Sequence, residues 1–327
     1  MLDSFAARLT LGVEEELMLL DPDTFALAPG VERLLGPEGL KTELFSCLVE
    51  TNTRVCADVG EVRAELARLR ALVKDRAAAE GLAVAAAGTH PFSPPETQPI
   101  VQEERYVRML AEMGPKTKRQ LVCGLHVHVG MASFEEALAT LRAITPWLPP
   151  LLALSLNSPY LGGAETGVLS TRAARLLELP RGGPPPPLAS PADWEAAIAA
   201  TGVSDYTRVW WDARPHPRLG TIEVRILDQP TSLDRAAALV ALVQALCAAA
   251  PATDRWHPDQ YYARREAASR GDAATDDLLD AVESASRELG TWELVEKLRG
   301  PAEAHRQLAT GRRDGLEAAA AELAALS

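Results

Sequence analysis

The sequence predicts an α+β fold built on a mainly antiparallel sheet, and three observations support this. The predicted strands and helices do not alternate regularly, as they would in a parallel α/β sheet. Several strands show two-residue alternation of apolar and polar residues, which is typical of a sheet with one buried face. The chain from about residue 232 onward is rich in alanine and predicts helices. We therefore predict a single domain over residues 1–327, with a mostly helical part at about 232–327, in which helices back a sheet that forms the floor of a cleft.

Charge and composition exclude several classes of partner. The 327 residues include 33 Lys and Arg and 45 Asp and Glu, giving a formal net charge of −12. Such a chain has no basic footprint for nucleic acid, and an anionic substrate would need a local positive site or metal ions. No apolar stretch reaches the roughly 20 residues that span a bilayer, and the N-terminus lacks a secretory leader pattern. Four scattered cysteines without a CxxC pair favour reduced thiols. We therefore expect a cytoplasmic protein without nucleic-acid or membrane partners.

The first ninety residues are predicted to hold three strands and one long helix. Strands are expected at residues 9–20 and 43–53, because both segments are extended and apolar with interspersed polar residues. Residues 59–81 carry apolar side chains at three- and four-residue spacing and end at a glycine, which predicts an amphipathic helix. A short apolar strand is predicted at 82–88.

The rest of the chain alternates less regularly between the two types of element. Proline-rich segments after residues 90 and 180 predict loops, because proline offers no amide donor and disfavours helix. The predicted elements are, in chain order, helix 101–113, strand 121–130, helix 134–142 with Ser133 as its cap, helix 191–201, strand 208–211, loop 212–220 and strand 221–228.

Charged residues inside apolar strands are the first sign of function. In the first strand, alternation places Glu14 and Glu16 on one face and Val13, Glu15 and Leu17 on the other. Two carboxylates about 6–7 Å apart on one strand face repel each other. A solvated edge would explain such a pair, and a metal site becomes the better interpretation only if other ligands converge on it.

Three further segments show the same pattern of one apolar and one polar face. His126 and His128 share a face of the strand at 121–130, where imidazoles can ligate metal or contact phosphate. Glu50 and Asn52 share a face of the strand at 43–53. Glu223 shares a face with Arg225, which on an exposed sheet would be only a weak ion pair.

Two more arginines stand close to the last of these strands. Arg214 and Arg218 lie in the predicted loop 212–220, which its prolines stiffen and which suits phosphate or carboxylate recognition. Each segment alone has an ordinary structural explanation. Together they predict a sheet face that binds hard divalent cations and a nucleotide triphosphate, because carboxylates suit Mg²⁺ or Mn²⁺ and arginines suit phosphates.

These same segments resemble the bacterial carboxylate–amine ligase family, also called glutamate–cysteine ligase type 2. The matching segments occur in the family's order and are TLGVEEELMLLDP, LVETNTRVC, CGLHVHVG, LALSLNSPYLGGAETG and WDARPHPRLGTIEVRILDQPT. The resemblance implies a glutamine synthetase-like catalytic fold. It also implies the use of ATP with Mg²⁺ or Mn²⁺ to activate a carboxylate, typically that of glutamate, for attack by an amine such as that of cysteine.

The resemblance also implies a role for individual residues. The metal ligands that it predicts are Glu14, Glu16, Glu50, His126 and Glu223. His128 is placed near the phosphates, Arg225 faces them, and Arg214 and Arg218 line the same region. Arg172 matches an arginine of the family and, with Arg225 and Asn52, is assigned to the nucleotide.

Two other functions and one structural question stay open from the sequence. The same acids and histidines could serve a metal-dependent phosphatase or hydrolase that needs neither ATP nor an amine. A non-catalytic regulator that binds nucleotide or amino acid would also retain them. The sequence identifies small molecules as ligands, but it does not decide whether the chain forms a homo-oligomer or which amine it uses.

Overall fold

A seven-stranded antiparallel sheet forms the centre of the structure, a computed structural model that describes residues 4–36, 39–252 and 258–327. The order of six strands across the sheet is β10-β11-β5-β1-β3-β2, and β4 pairs with the end of β1. The strands of this sheet are β1 (Leu11–Leu20), β2 (Leu40–Thr42), β3 (Leu48–Asn52), β4 (Ala83–Ala85), β5 (Gly124–Gly130), β10 (Ala213–His216) and β11 (Thr221–Asp228). Two minor pairs lie outside it, β6 (Tyr160–Leu161) with β7 (Ala164–Glu165) and β8 (Gly182–Gly183) with β9 (Trp210–Trp211).

Thirteen helices are described around the sheet. They are α1 (Val31–Leu34), α2 (Val59–Ala79), α3 (Glu104–Met113), α4 (Phe134–Ile144), α5 (Leu148–Ser155), α6 (Thr171–Leu176), α7 (Pro191–Ala200), α8 (Leu233–Ala249), α9 (Tyr261–Ser269), α10 (Thr275–Glu288), α11 (Trp292–Glu296), α12 (Glu303–Asp314) and α13 (Leu316–Leu326). Among them, α2, α4, α5 and α8 pack directly against the strands of the sheet. Short 3₁₀ turns occupy Pro95–Thr97, Gly114–Arg119, Thr145–Trp147, Tyr206–Arg208, Pro258–Gln260 and Lys297–Arg299.

The sequence determines where several of these helices begin. The side chains of Asp58, Ser133 and Ser232 each accept a hydrogen bond from a backbone N–H in the first turn of α2, α4 and α8. Such caps satisfy amides that the helix itself leaves without a partner. Helix α8 is apolar on almost every side and buried, and it packs against α2, α10, α11 and β5. The predicted α+β architecture is therefore confirmed, with the helical C-terminal part that the sequence predicted.

Two predicted segments differ from the structure. The strand expected at 43–53 starts later, because β3 begins at Leu48 and Glu43 lies in the turn that joins β2 to β3. The loop expected at 212–220 contains the strand β10, which pairs with β11 despite Pro215. Proline is tolerated there because β10 lies at the edge of the sheet and needs no amide donor on its outer side.

Within the described ranges, one helical stretch, Phe134–Ser155, is apolar and long enough to cross a bilayer by length and composition alone. Most of it is buried: 61% of its most apolar window lies inside the fold, as in a core helix. The stretch consists of α4, a 3₁₀ turn and α5, with prolines at 146, 149 and 150. All four cysteines are buried and free, as predicted.

Candidate active site

The register of the sheet brings the polar residues of separate strands side by side. Across the sheet, His126 is paired with Glu14, and Glu14 is paired with Asn52. Two residues further along β1, Glu16 is paired with Glu50. Because side chains two residues apart point to the same face, these pairs form adjacent rows on one face of the sheet.

A third row lies next to the row of His126, Glu14 and Asn52, on the side away from Glu16 and Glu50. Glu223 is opposite Arg214 on one neighbouring strand and opposite His128 on the other. His128 in turn is opposite Gly12 of β1. Five strands therefore contribute to one polar surface, although the residues come from positions between 12 and 223 of the chain.

The first group of possible metal ligands, here called the histidine cluster, consists of Glu14, His126 and Glu223. Their ligand atoms all lie within 4.8 Å of one another. The Nδ1 atom of His126 lies 3.2 Å from Oε2 of Glu14. His126 and Glu223 are buried, and Glu14 is partly exposed. Two carboxylates and an imidazole converging in this way are a donor set that suits Mg²⁺ or Mn²⁺.

The second group, here called the carboxylate cluster, consists of Glu16, Glu43 and Glu50. Their carboxylate oxygens also lie within 4.8 Å of one another. Glu43 was not predicted from the sequence, because it lies in the turn after β2, where no strand alternation marks it. The only available signal was its position at the start of the segment that contains Glu50. The predicted ligands thus separate into two groups, one of which Glu43 completes.

The two clusters differ in their electrostatics. Burial alone would raise the pKa of Glu14, but its hydrogen bond with His126 and the positive potential of the nearby imidazoles lower it to about 2. In contrast, burial and the charge of Glu43 raise the pKa of Glu16 to about 8. Burial and the charge of Glu14 likewise raise the pKa of Glu50 to about 8. Buried carboxyls that lack enough positive charge behave in this way, so the carboxylate cluster fits a divalent cation.

The arginines take different positions from one another. The guanidinium of Arg214 donates to both carboxylate oxygens of Glu223, at 2.7 and 3.2 Å, and to three backbone carbonyls. Arg214 therefore holds Glu223 in place. Arg225 also donates to Glu223 and remains partly exposed toward the polar surface. Arg218 lies on the outside, near Asp205, with its side chain 57% exposed, so the structure does not bring it to either cluster.

Three more predicted residues surround the clusters. Asn52 donates to Glu50 at 2.7 Å and accepts from Lys41. His128 contacts Thr221 through Nδ1, at 3.0 Å, while its buried Nε2 lies 3.8 Å from Glu14 and has no hydrogen-bond partner in the described part of the chain. Arg172 is fully buried behind His126.

A cavity of about 390 Å³ opens beside the histidine cluster. Its walls include Glu14, His128 and Thr221 from the strands, and Asn52 and Val55 from the end of β3 and the segment after it. A larger cavity, of about 670 Å³, lies on another side of the molecule between α5, α9 and α10 and contains none of the predicted site residues. The smaller cavity is therefore the one that adjoins the candidate chemistry.

The chain is similar in sequence to glutamate–cysteine ligases. The sequence model of glutamate–cysteine ligase family 2 matches residues 10–323. A protein of Rubrobacter xylanophilus named "Putative glutamate–cysteine ligase 2-3" is 43% identical over 252 residues, which cover 74% of this chain and 69% of that protein. One of Herpetosiphon aurantiacus named "Putative glutamate–cysteine ligase 2" is 40% identical over 247 residues, 72% of this chain and 64% of that protein. The alignments thus span about two thirds of these relatives.

Solved structures show the same fold at low sequence identity. A glutamate–cysteine ligase of Francisella tularensis in complex with AMP superposes with a TM-score of 0.69 at 13% identity, over 98% of this chain and 88% of that one. A bifunctional glutathione synthetase of Pasteurella multocida also gives 0.69, at 14% identity, over 97% of this chain and 52% of that one. These matches confirm the predicted ligase fold. The chain belongs to glutamate–cysteine ligase family 2, a family of ATP-dependent carbon–nitrogen ligases, as the sequence segments predicted.

Proposed function

We propose that this protein joins the carboxylate of an amino acid, glutamate in the first instance, to an amine at the expense of ATP. The observation that carries the proposal is the pair of clusters on one sheet face, beside a cavity of about 390 Å³. Two neighbouring groups of acids match a reaction in which several phosphate charges must be neutralised at once.

The described residues fit divalent cations, and we propose Mg²⁺ or Mn²⁺. The histidine cluster would hold one ion and the carboxylate cluster another. Such ions neutralise charge on the β- and γ-phosphates of ATP. The raised pKa values of Glu16 and Glu50 support this. Buried carboxylates this close together repel each other when charged, and a bound cation would offset that repulsion.

We propose that the cavity beside Glu14 and His128 receives the nucleoside of ATP. Its lining includes apolar Val55 and Leu219, which suit a base, and Glu14 of the histidine cluster, whose cation would suit phosphates. The buried Nε2 of His128, which has no hydrogen-bond partner among the described residues, is available to bond to ATP. The triphosphate would then be held by cations at the two clusters.

The chemistry proceeds in two steps. A carboxylate oxygen of the substrate attacks the γ-phosphorus of ATP, the bond to the β-phosphate oxygen breaks, and ADP leaves. The amine nitrogen then attacks the acyl carbon, the bond from carbon to the phosphate oxygen breaks, and phosphate leaves while the amine loses a proton to water. Arg225 offsets charge on the transferring phosphoryl group, and Arg214 keeps Glu223 oriented.

No protein nucleophile is needed for this reaction. Cys123, the cysteine nearest to the imidazole pair in sequence, is fully buried, and burial raises the pKa of its thiol well above the usual value. Such a thiol is inert. Family membership favours the ligase over the phosphatase and the regulator. A single catalytic domain and a cytoplasmic location remain predictions, and the oligomeric state stays open.

The direct test is a product screen with an isotope label. The protein is incubated with ATP, Mg²⁺, ¹⁸O-carboxylate-labelled glutamate and a mixture of amines, and the products are analysed by mass spectrometry. We expect an amide of glutamate together with ¹⁸O in the released phosphate, because the carboxylate oxygen that attacks phosphorus leaves with it. Phosphate release without any amide, or phosphate without label in the presence of amide, would contradict the proposed steps.

A pair of matched variants connects the activity to the site. Glu223→Gln removes one ligand charge from the histidine cluster and is expected to lower kcat by about 100-fold or more. Glu104→Gln is the control, because Glu104 lies on the surface of α3 with its side chain 86% exposed. Equal activity of the two variants would show that the reaction does not depend on Glu223 and would contradict the proposed site.

A further inference from the structure

Arg172 occupies a position that neither its predicted contact with nucleotide nor a simple role in packing explains. It is the second residue of α6 and is 2% exposed. Its Nη2 donates to the carbonyl of Arg225 at 3.0 Å, and Nη1 donates to the carbonyl of Ile226 at 3.2 Å. Nη2 also lies 3.4 Å from Nε2 of His126. The guanidinium therefore contacts the backbone and a histidine behind the polar surface.

The two carbonyls belong to an irregularity in β11. Val224 is paired with Val127 of β5, and Leu227 is paired with Leu125, so β11 advances three residues where β5 advances two. Arg225 and Ile226 lie in this bulge. A bulge interrupts the ladder and redirects a side chain, and it leaves carbonyl groups that need another donor. Arg172 supplies that donor to both residues.

A glycine on β5 makes the room that Arg172 needs. A β-carbon at Gly124 would lie 2.0 Å from Nη2 of Arg172 and 2.5 Å from its Cζ. No side chain can be accommodated at such distances without displacing the guanidinium. The amide of Gly124 donates to Glu16 at 2.5 Å, so this residue contacts an acid of the carboxylate cluster while its bare Cα faces Arg172.

The base of Arg172 is held firmly. Its backbone N–H donates to the hydroxyl of Ser158 at 3.2 Å. Ser158 and Ser170 both donate to the carboxylate of Asp228, at 2.6 and 2.7 Å. Because Asp228 ends β11, the start of α6 is tied to the same strand that carries the bulge. The guanidinium thus has little freedom to move away from its acceptors.

We propose that Arg172 is a positioning residue that holds the β11 bulge and packs against the ring of His126, and so aims Arg225 at the substrate phosphates and His126 at the cation of the histidine cluster, without itself touching the nucleotide. This inference rests on the proposed function. It also explains why residue 124 is a glycine: without a side chain there, the guanidinium of Arg172 fits between β5 and β11.

The first test replaces the guanidinium. Arg172→Met is expected to lower kcat and to weaken Mn²⁺ binding at the histidine cluster by about 10–100-fold, in the range found when a group that orients a metal ligand is removed. The KM for ATP should stay close to the wild-type value. A raised KM for ATP with unchanged kcat and unchanged Mn²⁺ affinity would instead indicate direct contact with the nucleotide and would overturn the proposal.

A matched control separates positioning from general stability. The Arg235 guanidinium also donates to two backbone carbonyls, those of Leu154 and Pro301, but it lies outside the site. Arg235→Met should leave Mn²⁺ affinity unchanged. If Arg172→Met does not fold, Arg172→Lys serves in its place, because one ammonium retains the charge but cannot serve both carbonyls with the same geometry. Wild-type behaviour of Arg172→Lys or of a folded Arg172→Met contradicts the proposal.

The second test uses the glycine. Gly124→Ala should reproduce the loss of Mn²⁺ affinity, because its methyl group displaces the guanidinium, and should add little to it in an Arg172→Met background. Equal losses in both backgrounds would show that Gly124 acts independently of Arg172. Mn²⁺ binding, measured by calorimetry, needs no turnover. If the wild type binds Mn²⁺ but forms no amide with any amine, the proposed function fails while the role of Arg172 is still decided by these variants.

Discussion

At the scale of single residues, the candidate ligands differ in where they lie in the fold, because all of them except Glu43 lie in strands. Glu14, Glu16, His126 and Glu223 lie in regular strands, where an acid or imidazole among apolar residues is visible from the sequence. Glu43 lies in a turn, where no periodicity distinguishes a ligand from a solvated acid. The local pattern therefore identified the ligands on strands, whereas Glu43 could be identified only once the fold was known.

The distribution of arginines was harder to predict for a different reason. Arg214, Arg218 and Arg172 all looked like candidates to bind phosphate, yet in the structure one holds Glu223, one is exposed and one is buried behind His126. The role of an arginine depends on acceptors far away in the sequence. That information is absent from a short motif.

The carboxylate cluster predicts a dependence of cation binding on pH. Burial raises the pKa of Glu16 and of Glu50 to about 8, so below that pH the ion-free site holds protons. A cation needs the charged carboxylates and must displace these protons. Affinity for Mg²⁺ should therefore rise between pH 6 and 8 and level off above about 8. Calorimetric titrations in two buffers of different ionisation enthalpy should detect proton release, and an affinity that is constant from pH 6 to 8 would contradict the assignment.

At the scale of the elements, one buried ion pair fixes the strand that carries the ligands. Arg70 of α2 donates to both carboxylate oxygens of Glu15, at 2.6 and 2.9 Å, and to the carbonyls of Pro230 and Thr231. Both side chains are almost fully buried. Alternation placed Glu15 correctly on the face opposite Glu14, but its partner 55 residues later could not be read from the sequence. This pair joins β1, α2 and the segment before α8.

Removal of Arg70 is expected to destabilise the protein strongly. In Arg70→Met the carboxylate of Glu15 stays buried, and Gln229 is its one remaining side-chain donor among the residues that the structure describes. Breaking a buried pair from one side costs about 3–5 kcal/mol. Urea unfolding should show this loss. Arg108→Met, which removes an exposed pair with Glu104 on α3, should change the free energy of unfolding by less than about 0.5 kcal/mol. A difference between the two variants below about 1 kcal/mol would contradict this role of the Arg70–Glu15 pair.

At the scale of the whole molecule, the antiparallel sheet brings together residues that lie far apart in the sequence. The register of β11, β5, β1 and β3 places residues that are up to about two hundred positions apart in adjacent rows. The helical C-terminal part supports this sheet, since the Glu303 carboxylate of α12 accepts the amides of Thr231 and Ser232 at the start of α8. The fold class could be predicted because alternation and helix periodicity are local. The division of the ligands into two clusters depends on strand order and register, which are not local properties of the sequence.

The central claim is that this sheet face binds two divalent cations, one at each cluster. Titration with Mn²⁺, followed by electron paramagnetic resonance, tests it most directly because it requires neither the right amine nor turnover. We predict two bound ions in the wild type, one in Glu14→Ala and one in Glu43→Ala, with two retained in the surface control Glu104→Ala. A wild type that binds no Mn²⁺, or a Glu43→Ala variant that still binds two ions, would contradict the account.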